Sequence, residues 1–217
     1  SNRVALGALF GGAAGIAFAP IFVRLSEVGP SATAFWRLAL ALPALWVWMA
    51  LEARQPRKPA QPSSMTDYRR LMVAGLFFAA DLAVWHWSIR LTSVANATLL
   101  ANATPIFVTL GAWFWFGQRV TATFMFGMVT ALAGATVLVG ISVQLSAGHL
   151  FGDLLGLVTA VFYAGYLLAV TDLRERFSSA TVLAWSSVFS AAALLPITML
   201  SGEGLIPLTG RGWAVLI

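Results

Sequence analysis

Three ionisable side chains stand inside runs that are otherwise apolar: Asp81 and His86 between Leu71 and Ile89, and Arg37 between Thr33 and Leu51. An Asp or Arg at the middle of a membrane helix costs about 2.5–3.5 kcal/mol even on mild insertion scales, so each needs a partner, water or a task. At 100° per residue Asp81, Trp85 and Ser88 share one helical face, and His86 projects about 140° away from Asp81. The two titratable groups are therefore not a dyad on one helix. The chemistry they offer is to hold the polar end of a small solute or to carry a proton, with Asp81 or His86 facing a central cavity. The alternative is a buried structural pair of Asp81 with Arg37. Arg37 itself lies one turn inside its helix and either snorkels to the headgroups or turns inward.

A second constellation is polar but uncharged. Thr98, Asn102, Pro105 and Thr109 are spaced four, three and four apart and form one helical stripe. Pro105 frees a backbone carbonyl that hydroxyls, water or neighbouring helices must satisfy. A polar stripe with a kink suits a cavity wall; the competing reading is helix glue, at about 0.6 kcal/mol per bond. Nine tryptophans are present. Trp46, Trp48, Trp113 and Trp115 suit the aromatic belts at the membrane interfaces. Trp36, Trp85, Trp185 and the pair Tyr163 and Tyr166 suit stacking on flat or apolar solutes. Tyr163 and Tyr166 share their face with Thr159. The expected substrate-binding set is thus Trp36, Asp81, Trp85, His86, Thr98, Asn102, Tyr163, Tyr166 and Trp185. His86 and His149 lie on different segments, and there is no nucleophile elbow or phosphate-cradling loop, so no enzyme is expected. No metal site or cofactor is expected either, and with no cysteine there is no disulfide or thiolate site.

The elements that position these residues are membrane helices. Of 217 residues 59% are hydrophobic and 10% charged, against roughly 25% charged in a soluble domain. Runs of about 20 apolar residues match a hydrocarbon core of about 30 Å. Seven spans are expected: Val4 to Val23, Thr33 to Leu51, Leu71 to Ile89, Asn96 to Phe116, Thr123 to Ile141, Leu154 to Val170 and Thr181 to Leu200. An eighth begins at Gly212 and stops unfinished at Ile217. The one substantial connection, Glu52 to Arg70, is rich in proline, serine and arginine and reads as a linker within one membrane domain. The net charge of +5 comes with no basic helix or aromatic-plus-basic module, so nucleic acid is not an expected partner. Its residues sit between spans as topology signals. With the N-terminus cytoplasmic, nine of the thirteen Lys and Arg fall inside and three outside, with Arg37 within a span; short cytoplasmic loops carry such an excess.

Sliding the chain on itself by 148 positions brings Leu25, Glu27, Ser31, Ala32 and Thr33 onto Leu173, Glu175, Ser179, Ala180 and Thr181. Five spans separate the copies, and an odd number makes them enter the membrane from opposite faces. Inverted repeats of this kind build secondary transporters, with a solute site near midplane between the halves. The expected division is a first five-helix repeat over 1–146 and the start of a second over 147–217, with about three more spans completing it. Gly7, Gly11 and Gly15 on the first span, and Gly152, Gly156, Ala160 and Ala164 on the sixth, are spaced for close helix packing.

The stretch from Trp85 to Arg119, WHWSIRLTSVANATLLANATPIFVTLGAWFWFGQR, resembles the third-to-fourth-helix region of EamA-type drug/metabolite transporters, and Phe35-Trp-Arg-Leu-Ala-Leu-Ala-Leu-Pro43 resembles their second helix. The resemblance covers the chain in span order; many members have Glu-Arg where this chain has Gln118-Arg119. It implies an all-α integral membrane bundle of ten helices in two inverted halves of five, alternating access, and small organic substrates such as amino acids, often exported. The aromatic amino-acid exporters are the relatives it suggests within the superfamily. The expected partners are a small-molecule substrate and the lipid bilayer, with proton coupling at the buried carboxylate or imidazole, and the expected location is a bacterial inner membrane. A membrane channel, or a membrane-embedded scaffold without transport, are the competing functions.

Overall fold

The computed structural model describes residues 2–54, 59–117, 120–145 and 147–216. Among these the chain is helical, without a strand: α1 Asn2–Leu25, α2 Pro30–Glu52, α3 Met65–Leu91, α4 Val94–Ala101, α5 Thr104–Phe116, α6 Ala122–Leu145, α7 Ala147–Arg174, α8 Ser179–Leu200 and α9 Gly210–Leu216. Every expected span falls within one of these helices except the fourth, which is divided between α4 and α5. Among the described residues five stretches are long and apolar enough to cross a membrane, the third of them, Val94–Phe114, joining α4 to α5. The helices α1 and α6 are 24 residues each, about 36 Å of helix. Large apolar side chains such as Phe10, Ile16, Phe114 and Phe126 stand exposed, as they do when lipid rather than water is the solvent.

Polar caps, rather than the edges of the apolar runs, set several helix starts. α3 starts at Met65, ahead of Leu71, because Ser64 and Asp67 form a capping box: Ser64 Oγ accepts from Asp67 N at 3.1 Å and Asp67 Oδ2 accepts from Ser64 N at 3.1 Å. Ser93 caps α4 and Ser178 caps α8 in the same manner. Pro30 begins α2, where a missing N–H costs nothing.

Hydrogen bonds at the helix ends fix which way each helix runs. At one end, here called upper, the last turn of α1 meets the end of α3: Arg24 Nη2 donates to Ile89 O at 2.9 Å and Thr92 O at 2.6 Å. The first turns of α7 reach the same place, where Thr92 Oγ1 donates to Asp153 Oδ1 at 2.6 Å. So α1 finishes where α7 begins. The loop after α8 caps the start of α2, with Glu203 Oε2 accepting from Ser31 N at 2.9 Å and Ala32 N at 3.1 Å. Glu27, after α1, accepts from the backbone N of Thr209 at 3.2 Å and from its hydroxyl, one residue before α9. At the lower end Asp67, in the first turn of α3, takes a 2.6 Å bond from Arg176 after α7. Helices α1 and α7 therefore run in opposite senses, as do α2 and α8.

The core lies where α3 packs on α7 and α8, and α2 on α8. Leu71, Ala74, Tyr166, Leu173, Phe177 and Val182 form one buried cluster, and Ala34, Leu38, Ala79, Ala191 and Leu194 another. Close approach depends on glycine at Gly152, where an added Cβ lands 2.7 Å from the backbone N of Thr92. The stripe on α1 behaves differently: Gly7, Gly11 and Gly15 have nothing within 4 Å. Small residues at four-residue spacing thus pack helices on α7, but face no described neighbour on α1.

Candidate functional site

Between α1, α3, α4 and α7 lies a cavity of about 530 Å³, lined by Ala13, Ile16, Ala17 and Pro20 of α1, Asp81, Leu82 and Trp85 of α3, Thr98 and Ala101 of α4 with Asn102 after it, and Thr159 and Tyr163 of α7. That volume lies within the range of small-molecule pockets. One wall is a break in the fourth span. α4 ends at Ala101, and α5 begins at Thr104 with Pro105 inside its first turn. Proline removes the N–H that would bond the carbonyl of Ala101; Thr104 Oγ1 takes that carbonyl at 2.7 Å instead. The turn closes with Asn102 N on Thr98 O and Ala103 N on Leu100 O, each 3.0 Å. A non-helical segment of this kind is stable at membrane depth where protein or a water-filled cavity surrounds it.

The break changes the expected stripe. Thr98 and Asn102 line the main cavity, whereas Asn102 and Pro105 line a second one of about 490 Å³ between α5 and α6. Thr109 lines neither. The stripe is not continuous because the two-residue turn resets the helical phase.

Five of the nine expected substrate-binding residues share the main cavity: Asp81, Trp85, Thr98, Asn102 and Tyr163. Asp81 is 8% exposed. It makes no bond to Arg37; the ion pairs among the described residues are Arg70 with Asp172 and Arg176 with Asp67, both at the lower end. Arg37 donates to Ala19 O on α1 at 3.2 Å, which removes the Asp81–Arg37 pair as an account of the buried carboxylate. Two cavity hydroxyls, Thr98 Oγ1 and Thr159 Oγ1, are buried without a hydrogen-bond partner among the described residues.

The other four lie elsewhere. Tyr166 sits behind Tyr163, stacked against it at 6.0 Å and against Phe78 at 4.7 Å. His86 is buried on another side of α3, its Nδ1–H donating to Leu82 O at 2.7 Å and its Nε2 without a partner among the described residues. Trp36 is at the upper end, donating from Nε1 to Leu205 O at 2.6 Å with its ring edge-on to Trp213 at 4.9 Å. Trp185 packs edge-on to Trp46 and Tyr68. Gln118 and Arg119 lie outside the described residues.

Thr159 shares the Tyr163 face in the sequence but was not among the expected binding residues. Asp153 carried no sequence signal of its own: 1% exposed, it takes Thr92 Oγ1 at 2.6 Å and Asn96 Nδ2 at 3.2 Å, and so joins the start of α7 to the α3–α4 turn. Beside it Ser88 Oγ donates to Gly152 O at 2.7 Å. At the upper surface the hydroxyl of Thr209 holds the Glu27 carboxyl below its ordinary value, with help from nearby backbone N–H groups and Arg211.

Comparison with known proteins decides the family. The model of the EamA-like transporter family matches residues 3–140. The chain belongs to that family. Among curated relatives of this EamA chain, a protein described as an uncharacterized transporter from Archaeoglobus fulgidus is 26% identical over 187 residues, covering 84% of the chain and 62% of the relative. The pseudopaline exporter CntI of Pseudomonas aeruginosa is 26% identical over 147 residues, covering 68% of the chain and 50% of the exporter. The EamA chain thus spans between half and two thirds of the length of these relatives. A solved crystal structure superposes on 93% of the chain, and 67% of its own, with a TM-score of 0.63 at 20% identity, a likeness of fold. The EamA chain is an integral membrane protein of a transporter family.

Proposed function

We propose that the EamA chain is part of a secondary transporter that exports amino acids or similar small metabolites by alternating access, with the α1–α3–α4–α7 cavity as its solute site. The observation that carries this is the meeting of a buried carboxylate, Asp81, two unpartnered hydroxyls, Thr98 and Thr159, and a broken helix in one cavity. The unpaired polar groups are costly in hydrocarbon, and broken helices mark the solute sites of secondary transporters. Being named as transporters, the relatives favour the same class over an enzyme.

In this reading residues 1–146 form the first repeat and 147–217 begin the second. The opposed directions of α1 and α7, and of α2 and α8, are what inverted halves require. The upper end faces outward and the N-terminus is cytoplasmic, in a bacterial inner membrane, which puts the excess of Lys and Arg inside. Trp85 and Tyr163 provide apolar, flat surface for the body of a solute, and Asp81 provides a group able to bind a polar end or a coupling proton.

Counterflow of labelled amino acids in liposomes containing the full-length protein tests the reading. Saturable exchange of at least one of them supports it. Flux that never saturates points to a channel, and absence of any protein-dependent flux contradicts transport.

A further inference from the structure

The described walls of the cavity hold one carboxyl group, that of Asp81, and no basic side chain. Asp81 contributes a carboxylate that makes no hydrogen bond or ion pair among the described residues and is 8% exposed. No Lys or Arg lines the cavity; Arg37 is engaged with the carbonyl of Ala19. Trp85 and Tyr163 offer ring faces that attract cations in a desolvated site. Thr159, 2% exposed, also lines the cavity, its buried hydroxyl without a partner among the described residues.

We propose that this cavity selects its solutes by a protonated amino group, with Asp81 as the counter-ion, so that organic cations of suitable size are preferred to organic anions of the same skeleton. This rests on the transport reading and narrows it to a substrate class. The ammonium takes the carboxylate of Asp81, the hydroxyls of Thr98 and Thr159 and the amide of Asn102 serve further polar groups, and the two aromatic rings cover the apolar body. A solute carboxylate finds no basic group in these walls, and pays desolvation without compensation.

The test is competition for counterflow in liposomes holding the full-length protein, with phenethylamine, phenylalanine and 3-phenylpropionate, which share a carbon skeleton and differ in charge. Phenethylamine is expected to compete at least about tenfold better than 3-phenylpropionate, as for one charge-assisted bond, with phenylalanine between them. Asp81→Asn, at normal abundance and monodispersity, is expected to abolish the difference and Asp81→Glu to keep it. If the anion competes as well as the amine, or the preference survives in Asp81→Asn, the proposal is overturned while transport stands. Failure of all three compounds beside saturable counterflow of another amino acid has the same meaning. Failure of every solute contradicts the transport reading itself.

Discussion

Thr98 and Thr159 differ from four other helical threonines in a way that their residue type does not reveal. Thr130, Thr136, Thr171 and Thr198 each donate to the carbonyl four residues back, at 2.8–2.9 Å, the ordinary retreat of a hydroxyl in a helix. Thr98 and Thr159 leave theirs unpaired at the cavity. A buried hydroxyl without a partner costs about 1–3 kcal/mol, so Thr159→Val, nearly isosteric, is expected to raise the unfolding temperature in detergent while lowering transport several-fold. Equal or lower stability with undiminished transport contradicts a solute role for Thr159. Asp81, Asn102 and Thr98 were legible in the sequence because polar groups in an apolar run need a reason. Thr159 was legible only through the face it shares with Tyr163, since a helical threonine ordinarily bonds its own backbone. Trp36 and Trp185 show the converse: aromatic residues near helix ends pack on other rings, and their type says nothing of which space they face.

At the scale of the elements, the apolar runs located the helices and the caps corrected where they start. Ser64 with Asp67 carries α3 back to Met65, a signature that a capping box leaves in sequence but that the hydropathy of the run overrides. The break in the fourth span was half legible. Proline announced a kink, but the turn at Asn102 and Ala103 depends on Thr104 taking the freed carbonyl, one of several ways a freed carbonyl can be satisfied. The joint between α3 and α7 was legible as a glycine spacing and invisible as a polar cluster, because Asp153 lies at the margin of its run. That joint is tight: a Cβ at Gly152 meets the backbone of Thr92 at 2.7 Å. Backbone cannot yield as a side chain does, and Gly152→Ala is expected to destabilise the protein by about 1–3 kcal/mol. A thermal unfolding scan in detergent measures this, and an unchanged midpoint contradicts the packing described.

For the whole molecule, polar contacts between distant loops and helix starts hold both ends of the bundle. At the upper end the loop after α1 holds the segment that starts α9, through Glu27 and Thr209; at the lower end the segment after α7 holds the start of α3, through Arg176 and Asp67. The 148-residue offset pairs Glu27 with Glu175 and Ser31 with Ser179 but sets Arg176 against Val28 and Thr209 against Gln61, so the two contacts use neighbouring rather than matched positions. Five matched residues suggested two copies, and counting the spans between them predicted opposite directions. The interlocking loops, with contacts between residues 182 and 109 positions apart, were beyond sequence because their partners are fixed only once the helices are packed.

Alternating access through the α1–α3–α4–α7 cavity is the central claim, and the absence of cysteine from the chain offers a direct test. Thr98→Cys, on a full-length protein freed of any other cysteine, is treated with a membrane-impermeant maleimide from either side of oriented vesicles. The account predicts modification from both sides in the same preparation, since the cavity opens to each in turn. Modification from neither side, or from one side only, contradicts it.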